Sequence, residues 1–270
     1  MQTCRTSWNP SWNLPGATRD LPLRVRYRPR GMARPTIVFD IETVGTAWDE
    51  LDAPTRDYLI TRTSRKLVRD SGSAGSAEAI AKEALGLSPG TGRVICIALV
   101  NLESDQGAVL YEGNGPGWLD TAAGQTRVYR GDEAGILREF WQLLERYGRV
   151  VTYNGRAFDL PFAYVRSALH GIRPSRQLLA NRYSMAEHCD LAEVLTFFGA
   201  AQERFSLDYW CRRFGITSPK EGGLDGSHVG QFYSEGRIDE IAEYCLRDSR
   251  ATGELFRKIE KTLIDLYGSR

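Results

Sequence analysis

Two acidic side chains, Asp40 and Glu42, lie two positions apart in the segment Thr36–Gly45, which reads TIVFDIETVG. The segment begins with β-branched and aromatic residues and therefore predicts a β-strand. Because residues two apart on a strand share a face, we expect both carboxylates to point the same way from the end of this strand. Two neighbouring anions can hold a divalent cation, or they can simply solvate or cap a strand end. If further carboxylates reach the same place, cation binding is the better interpretation.

A second candidate acid, Asp159, follows another predicted strand. Residues 149–153 read RVVTY and predict a short apolar strand, after which comes Asn154-Gly155, a pair typical of hairpin turns. The residues that follow have helical spacing, so we place Asp159 in the first turn of a helix over residues 159–170. Open α/β sheets bind ligands at the carboxyl ends of central strands, which makes Asp159 a candidate for the same site.

The third candidate acid lies on the longest predicted helix, residues 237–266. One face of this helix carries four residues at intervals of four, three and four: Tyr244, Asp248, Ala251 and Leu255. An ionised aspartate on a stripe shared with alanine and leucine is costly unless it has a partner. An exposed stripe flanking the core is the simpler interpretation of this pattern taken alone.

The charge of the 270-residue chain is unevenly distributed, although its formal net charge is only +1. Residues 1–34 contain seven arginines and one acid, whereas acidic residues outnumber basic ones from Pro35 onward. The mildly acidic body argues against a long surface that wraps duplex nucleic acid. Because the leader has prolines and no continuous apolar segment, we expect a poorly ordered basic tail over residues 1–34. We also expect that translation can begin at Met32.

The sequence offers no signal for a membrane or an oxidising compartment. No apolar run approaches the roughly 18 residues that a membrane span requires. The five cysteines are scattered and form no Cys-x-x-Cys pair, so we expect reduced thiols and a cytoplasmic location. No particular protein partner can be inferred.

The remaining apolar patterns predict a strand-rich first half and a helical second half. A broken helical stretch is predicted over residues 48–82. Strands are predicted over residues 93–100, 107–111 and 126–129. Further helices are predicted over residues 132–147, 188–198, 206–214 and 226–234.

In chain order, the three acidic motifs resemble those of the DEDD exonuclease superfamily. They are Asp-x-Glu on the first strand, Asn-Gly-x-x-x-Asp after a later strand, and Tyr-x-x-x-Asp on the final helix. More narrowly, the chain is similar to the bacterial branch that resembles the 3′–5′ proofreading exonuclease domain of family B DNA polymerases. This resemblance implies one exonuclease domain over residues 35–270 with an α/β, ribonuclease H-like fold, a central mixed β-sheet flanked by helices. No polymerase palm or fingers fit in the rest, so we expect a free-standing nuclease.

The resemblance also implies a catalytic site that binds two Mg²⁺ or Mn²⁺ ions. Its metal-binding acids, which are also catalytic residues, would be Asp40, Glu42, Asp159 and Asp248. Hard oxygen ligands suit these cations, and two of them about 3.5 to 4 Å apart stabilise both the attacking and the leaving oxygen of a phosphodiester.

The same resemblance implies roles for residues between the acids. Tyr244 would be a further catalytic residue that positions the attacking water, and it would mark the tyrosine subclass, since the histidine subclass has His where this chain has Cys245. The substrate-binding positions would be the main chain at Ile41 and Thr43 and the side chains of Asn154 and Phe158. A core position is an equally good interpretation of Phe158.

The activity implied is hydrolysis of phosphodiester bonds at the 3′ end of single-stranded nucleic acid, with DNA as the first candidate. An exoribonuclease similar to ribonuclease D would use the same acids, and the sequence does not separate DNA from RNA. A non-catalytic nucleic-acid-binding domain on the same fold is disfavoured because no motif acid is missing.

Overall fold

The centre of the molecule is a mixed β-sheet. A computed structural model describes residues 34–69, 76–115, 117–120, 125–222 and 226–268. In these residues the sheet has seven strands: β1 (Thr36–Gly45), β2 (Gly92–Asn101), β3 (Gly107–Glu112), β4 (Trp118–Asp120), β5 (Thr126–Gly131), β6 (Arg149–Thr152) and β7 (His188–Asp190). Their order across the sheet is β4-β5-β3-β2-β1-β6-β7. Strand β1 pairs antiparallel with β2 and parallel with β6, so it lies in the interior of the sheet.

Strand β1 is buried on both faces because its successive apolar side chains point to opposite faces of the sheet and pack there. Ile37, Phe39 and Ile41 belong to the larger core cluster, which includes residues of two helices on that face of the sheet. Val38 and Val44 face the other way and pack in two smaller clusters with the long C-terminal helix. By the same alternation, the side chains of Asp40 and Glu42 project toward this second face.

Helices flank the sheet on both faces. In the described residues they are α1 (Ala53–Arg69), α2 (Ala77–Glu83), α3 (Glu133–Leu144), α4 (Asp159–Leu169), α5 (Leu191–Leu195), α6 (Leu207–Phe214), α7 (Val229–Ser234), α8 (Ile238–Ile259) and α9 (Asp265–Gly268), with a π-helical segment, Glu260–Ile264, before α9. Helices α3 and α4 contribute apolar residues to the larger core, and α8 crosses β1, β2 and β3 on the opposite face. The predicted central mixed sheet flanked by helices is confirmed.

Several predicted elements need correction. Strand β1 continues to Gly45, which pairs with Gly92, so Asp40 and Glu42 lie inside the strand and not at its end. The predicted helix over residues 188–198 begins instead with β7, because those three residues pair in parallel with β6. Strand β4 was not predicted, since it is only three residues long. The predicted tail lies outside the described residues except for Arg34.

Two further observations concern the described residues as a whole. None of their helices combines the length and the apolar character that crossing a bilayer requires. Their four cysteines, Cys96, Cys189, Cys211 and Cys245, are buried and carry free thiols.

The turn after β6 requires a glycine. A Cβ atom on Gly155 would lie 2.5 Å from both Cβ and Oγ1 of Thr152. We predict that Gly155→Ala lowers the free energy of unfolding by about 1 to 3 kcal/mol, the usual cost of overpacking, as measured by urea denaturation. Gly230→Ala in α7 is the control, because nothing lies within 4 Å of its added Cβ. Equal stabilities of the two variants would contradict this packing.

Candidate active site

Strand β1, which carries Asp40 and Glu42, packs against helix α8, which carries the Tyr-x-x-x-Asp motif. Helix α8 carries Tyr244, Cys245 and Asp248 in its second and third turns. The Cys245 thiol donates to the main-chain carbonyl of Asp40 at 3.4 Å and lies 3.6 Å from the Asp40 carboxylate oxygen Oδ2. Asp40, Glu42 and Cys245 each offer one ligand atom, and these three atoms lie within 4.8 Å of one another. The thiol therefore fixes the helix against the strand beside the two carboxylates.

Asp159 reaches the same place from the start of α4. Its side chain is 4% exposed, and its Oδ1 accepts a hydrogen bond of 3.2 Å from the main-chain N–H of Ile41 on β1. The preceding loop is held by Asp190 at the end of β7, which accepts from the main-chain N–H groups of Asn154 and Arg156 at 2.9 Å each. The carboxyl ends of β6 and β7 thus position the third acid, as the sequence predicted for β6 alone.

Burial acts on the pKa of all four acids in the same direction. Burial raises the pKa of each: that of Asp159 to about 7, that of Asp248 to about 6, and those of Asp40 and Glu42 well above their usual values. After burial, the charges of Asp159, Asp248 and Glu42 are the next causes of the raised pKa of Asp40. The charges of Asp248 and Asp159 act in the same way on Glu42. Four carboxylates that repel one another in a partly buried site would be relieved by a bound cation.

Tyr244 lies next to this cluster and lines the same groove as Asp248. Its side chain is 5% exposed, and the charge of the neighbouring Asp248 carboxylate acts on its phenol. Burial, followed by the charges of Asp248 and Glu42, raises the pKa of the phenol further above its ordinary value of 10. The tyrosine therefore stays protonated at neutral pH and can act as a hydrogen-bond donor.

A groove with a volume of about 480 Å³ opens beside Tyr244 and Asp248. Its other lining residues come from the loop after β6, from α5, from the start of α6 and from the segment after it: Tyr153, Asn154, Ala192, Arg204, Phe205, Ser206, Leu207, Asp208, Pro219 and Lys220. The charge of Lys220 lowers the pKa of Asp248, opposing the effect of burial.

The four predicted substrate-binding positions are placed differently from one another. Asn154 lines the groove, and its φ of 64° lies in the left-handed region. Phe158 packs against the larger core, with its ring centroid 5.4 Å from that of Phe162, which favours the core interpretation. Ile41 uses its N–H for Asp159, and the Thr43 hydroxyl donates to the carbonyl of Gly86 at 2.7 Å. Substrate contacts by these residues stay predictions.

Comparison with known proteins identifies the family. Residues 91–264, more than half of the chain, match the family described as a predicted 3′–5′ exonuclease related to the exonuclease domain of PolB. The chain belongs to this family. Asp159, Tyr244 and Asp248 lie within the matched segment, whereas Asp40 and Glu42 precede it.

Individual relatives agree with the family. The chain is 26% identical over 254 residues to DNA polymerase 1 of Aeropyrum pernix, covering 88% of this chain and 23% of the polymerase. It is 24% identical over 151 residues to the catalytic polypeptide of DNA polymerase epsilon from Schizosaccharomyces pombe, covering 47% of this chain and 6% of that polypeptide. Its fold is similar to the family B DNA polymerase of Pyrobaculum calidifontis, with a TM-score of 0.53, 18% identity, and coverage of 85% of this chain and 25% of the polymerase.

These relatives support the ribonuclease H-like fold class and the resemblance to PolB exonuclease domains. The chain spans less than a quarter of the length of the two relatives matched by sequence, from Aeropyrum pernix and Schizosaccharomyces pombe. The donor chemistry of the acidic cluster fits the cations that the motifs imply, because carboxylate oxygens are hard ligands that suit Mg²⁺ or Mn²⁺.

The repulsion within the cluster predicts how the metal-free protein responds to pH. Because their pKa values are raised in the folded state, the four acids bind protons more tightly there than in the unfolded chain. The folded protein therefore loses stability as pH rises from about 4, near the ordinary pKa of these acids, to about 7. We predict that Glu42→Gln raises the melting temperature in EDTA at pH 8. We also predict that millimolar Mn²⁺ stabilises the wild type more than this variant.

Glu243→Gln is the control, because Glu243 is exposed on the same helix as Tyr244. It should change neither the melting temperature in EDTA nor the gain with Mn²⁺. The hypothesis of repulsion among the carboxylates is wrong if Glu42→Gln destabilises the metal-free protein at pH 8. It is also wrong if Mn²⁺ raises the melting temperature of this variant as much as that of the wild type.

Proposed function

We propose that the chain is a metal-dependent 3′–5′ exonuclease that removes nucleotides from the 3′ ends of single-stranded DNA. The observation that supports this proposal is that three separate elements bring four acids close enough to interact: Asp40, Glu42, Asp159 and Asp248. Asp248 also lines the groove. Membership of a family of predicted 3′–5′ exonucleases supports the direction of cleavage. The DNA preference rests on the matched relatives, which are DNA polymerases.

In this proposal the four acids hold two divalent cations. When bound, such a pair would stabilise negative charge on both the attacking and the leaving oxygen of the phosphodiester. Asp159 and Glu42 are buried and would fix the ligand geometry, while Asp40 and Asp248 are only partly buried and would face the incoming strand. The Cys245 thiol, which donates to Asp40, would orient that carboxylate.

Tyr244 would position the attacking water. Its raised pKa makes it a poor base at neutral pH, so its proposed role is to donate a hydrogen bond. Tyr244 and Asp248 line the same groove, which places the phenol beside the proposed metal site.

The direct test is digestion of matched single-stranded DNA and RNA oligonucleotides, each labelled in turn at the 5′ and the 3′ end. With Mn²⁺, 5′-labelled DNA should shorten one nucleotide at a time, 3′-labelled DNA should release a labelled mononucleotide at once, and EDTA should stop both reactions. Asp248→Asn should abolish cleavage, and Glu243→Gln should leave it unchanged. Faster digestion of RNA would establish the exoribonuclease alternative, and no digestion of either polymer would reject the proposal.

We predict that Tyr244→Phe lowers kcat on the order of 10²-fold with little change in KM, because it removes a group that orients the reacting water and leaves the groove intact. Steady-state kinetics on single-stranded DNA measures both constants. Tyr233→Phe is the matched control, since the Tyr233 hydroxyl bonds with Arg93 and Glu112 away from the groove. An unchanged kcat for Tyr244→Phe would remove this residue from the mechanism.

A further inference from the structure

An exposed pair of aromatic rings stands at the start of α6. The rings of Phe205 and Tyr209 are stacked, with centroids 4.1 Å apart and planes inclined by only 16°. Trp210 meets both rings edge-on, at 5.7 Å from Phe205 and 5.5 Å from Tyr209. Despite these contacts, Phe205 remains 38% exposed and Tyr209 36% exposed. Single exposed apolar residues are ordinary on protein surfaces, so exposure alone does not indicate a function for this pair. Its position in the molecule does.

Phe205 lies in the wall of the groove that also contains Tyr244 and Asp248. The groove therefore joins the proposed site of cleavage to an accessible aromatic face. Phe158, which the family resemblance implied as a substrate-binding position, packs against the larger core. Phe205 is thus the phenylalanine of the described residues that lines this groove.

The main chain around Phe205 is fixed from several directions. The hydroxyl of Tyr153 donates a short hydrogen bond to the carbonyl of Phe205. The guanidinium of Arg204 donates to the Asn154 side-chain oxygen at 3.1 Å and forms an ion pair with Glu193, a carboxylate that is almost fully buried. Since Tyr153 and Asn154 belong to the loop that leads to Asp159, the aromatic pair and the third acid share one support.

Ser206 fixes the pair from the helical side. Its side-chain oxygen caps α6 by accepting from the main-chain N–H of Tyr209 at 3.2 Å. This cap sets the first turn of the helix, which places the Tyr209 ring behind that of Phe205. A rigid, exposed aromatic face in a groove is the usual form of a platform for unpaired bases, because every base has a π-face that can stack on it.

We propose that Phe205, backed by Tyr209, is a stacking platform for one unpaired base of the bound strand. This inference rests on the proposed function, and it assigns a binding role to a residue outside the acidic motifs. The platform holds the strand in the groove without reading its sequence. Asn154 and Arg204, which are bonded to each other beside it, set its position relative to the acids.

The first test measures affinity for a 5′-labelled single-stranded DNA by fluorescence anisotropy with Mn²⁺. All proteins carry Asp159→Asn, which removes a proposed metal ligand and so suppresses cleavage during the measurement. Phe205→Ala should raise Kd by about 5- to 150-fold, the range that alanine substitution of a stacking residue gives. Phe205→Trp should keep the affinity, and Phe205→Leu, which retains an apolar side chain, should lose it as alanine does.

Phe197→Ala is the matched control, because Phe197 is 49% exposed and does not line the groove. It should leave Kd unchanged. Melting temperatures of all variants identify any that fail to fold. If Phe205→Ala fails to fold, the comparison of Phe205→Trp with Phe205→Leu still decides the test. A Kd for Phe205→Leu equal to that of the parent would overturn the proposal.

The second test identifies the stacked base. Oligonucleotides with one abasic position, moved stepwise from the 3′ end, should show a loss of affinity at a single position with the parent protein. That local loss of affinity should disappear with Phe205→Ala, because the variant has no ring on which the base could stack. An abasic penalty of the same size and position in both proteins would contradict the platform.

The two proposals fail in different ways. If the chain neither binds nor digests any oligonucleotide, the proposed exonuclease function is wrong. If the wild type digests single-stranded DNA from its 3′ end but Phe205→Ala behaves as Phe197→Ala does, only the platform is wrong.

Discussion

Mutual repulsion among four carboxylates is the constraint on which the rest of this structure depends. Asp40, Glu42, Asp159 and Asp248 come from three elements far apart in the chain. Burial is the first cause of the raised pKa of each, and the charge of Asp248 further raises the pKa of the other three. Ionised groups of like charge do not remain together unless packing elsewhere holds them or a cation lies between them. The fold therefore has to fix both the strand and the helix that carry them.

The packing around β1 supplies this support. The strand is covered by apolar side chains on both faces, so its backbone cannot move away from the repulsive site. Helix α8 is tied to the sheet at two points, by the Cys245 thiol on the Asp40 carbonyl and by the Ser249 hydroxyl on the Ala98 carbonyl at 3.1 Å. These contacts stabilise an arrangement that electrostatics alone would separate, and they leave the charges available for binding cations.

The sequence predicted the parts of the site that carry their own periodic signal. Strand β1, the start of α4 at Asp159 and the helical face with Tyr244 and Asp248 could each be recognised from local spacing. Strand β7 could not, because three residues are too few for a period and their strand conformation comes from pairing with β6. The position of Phe205 was equally hidden, since it depends on contacts with Tyr153 across 52 residues of sequence.

The most direct measurement is anomalous diffraction from crystals of the full chain grown with Mn²⁺. The convergence of the four acids predicts two anomalous peaks between Asp40, Glu42, Asp159 and Asp248, separated by about 3.5 to 4 Å. Manganese peaks elsewhere only, or an Asp248 side chain turned away from the other three acids, would contradict the account.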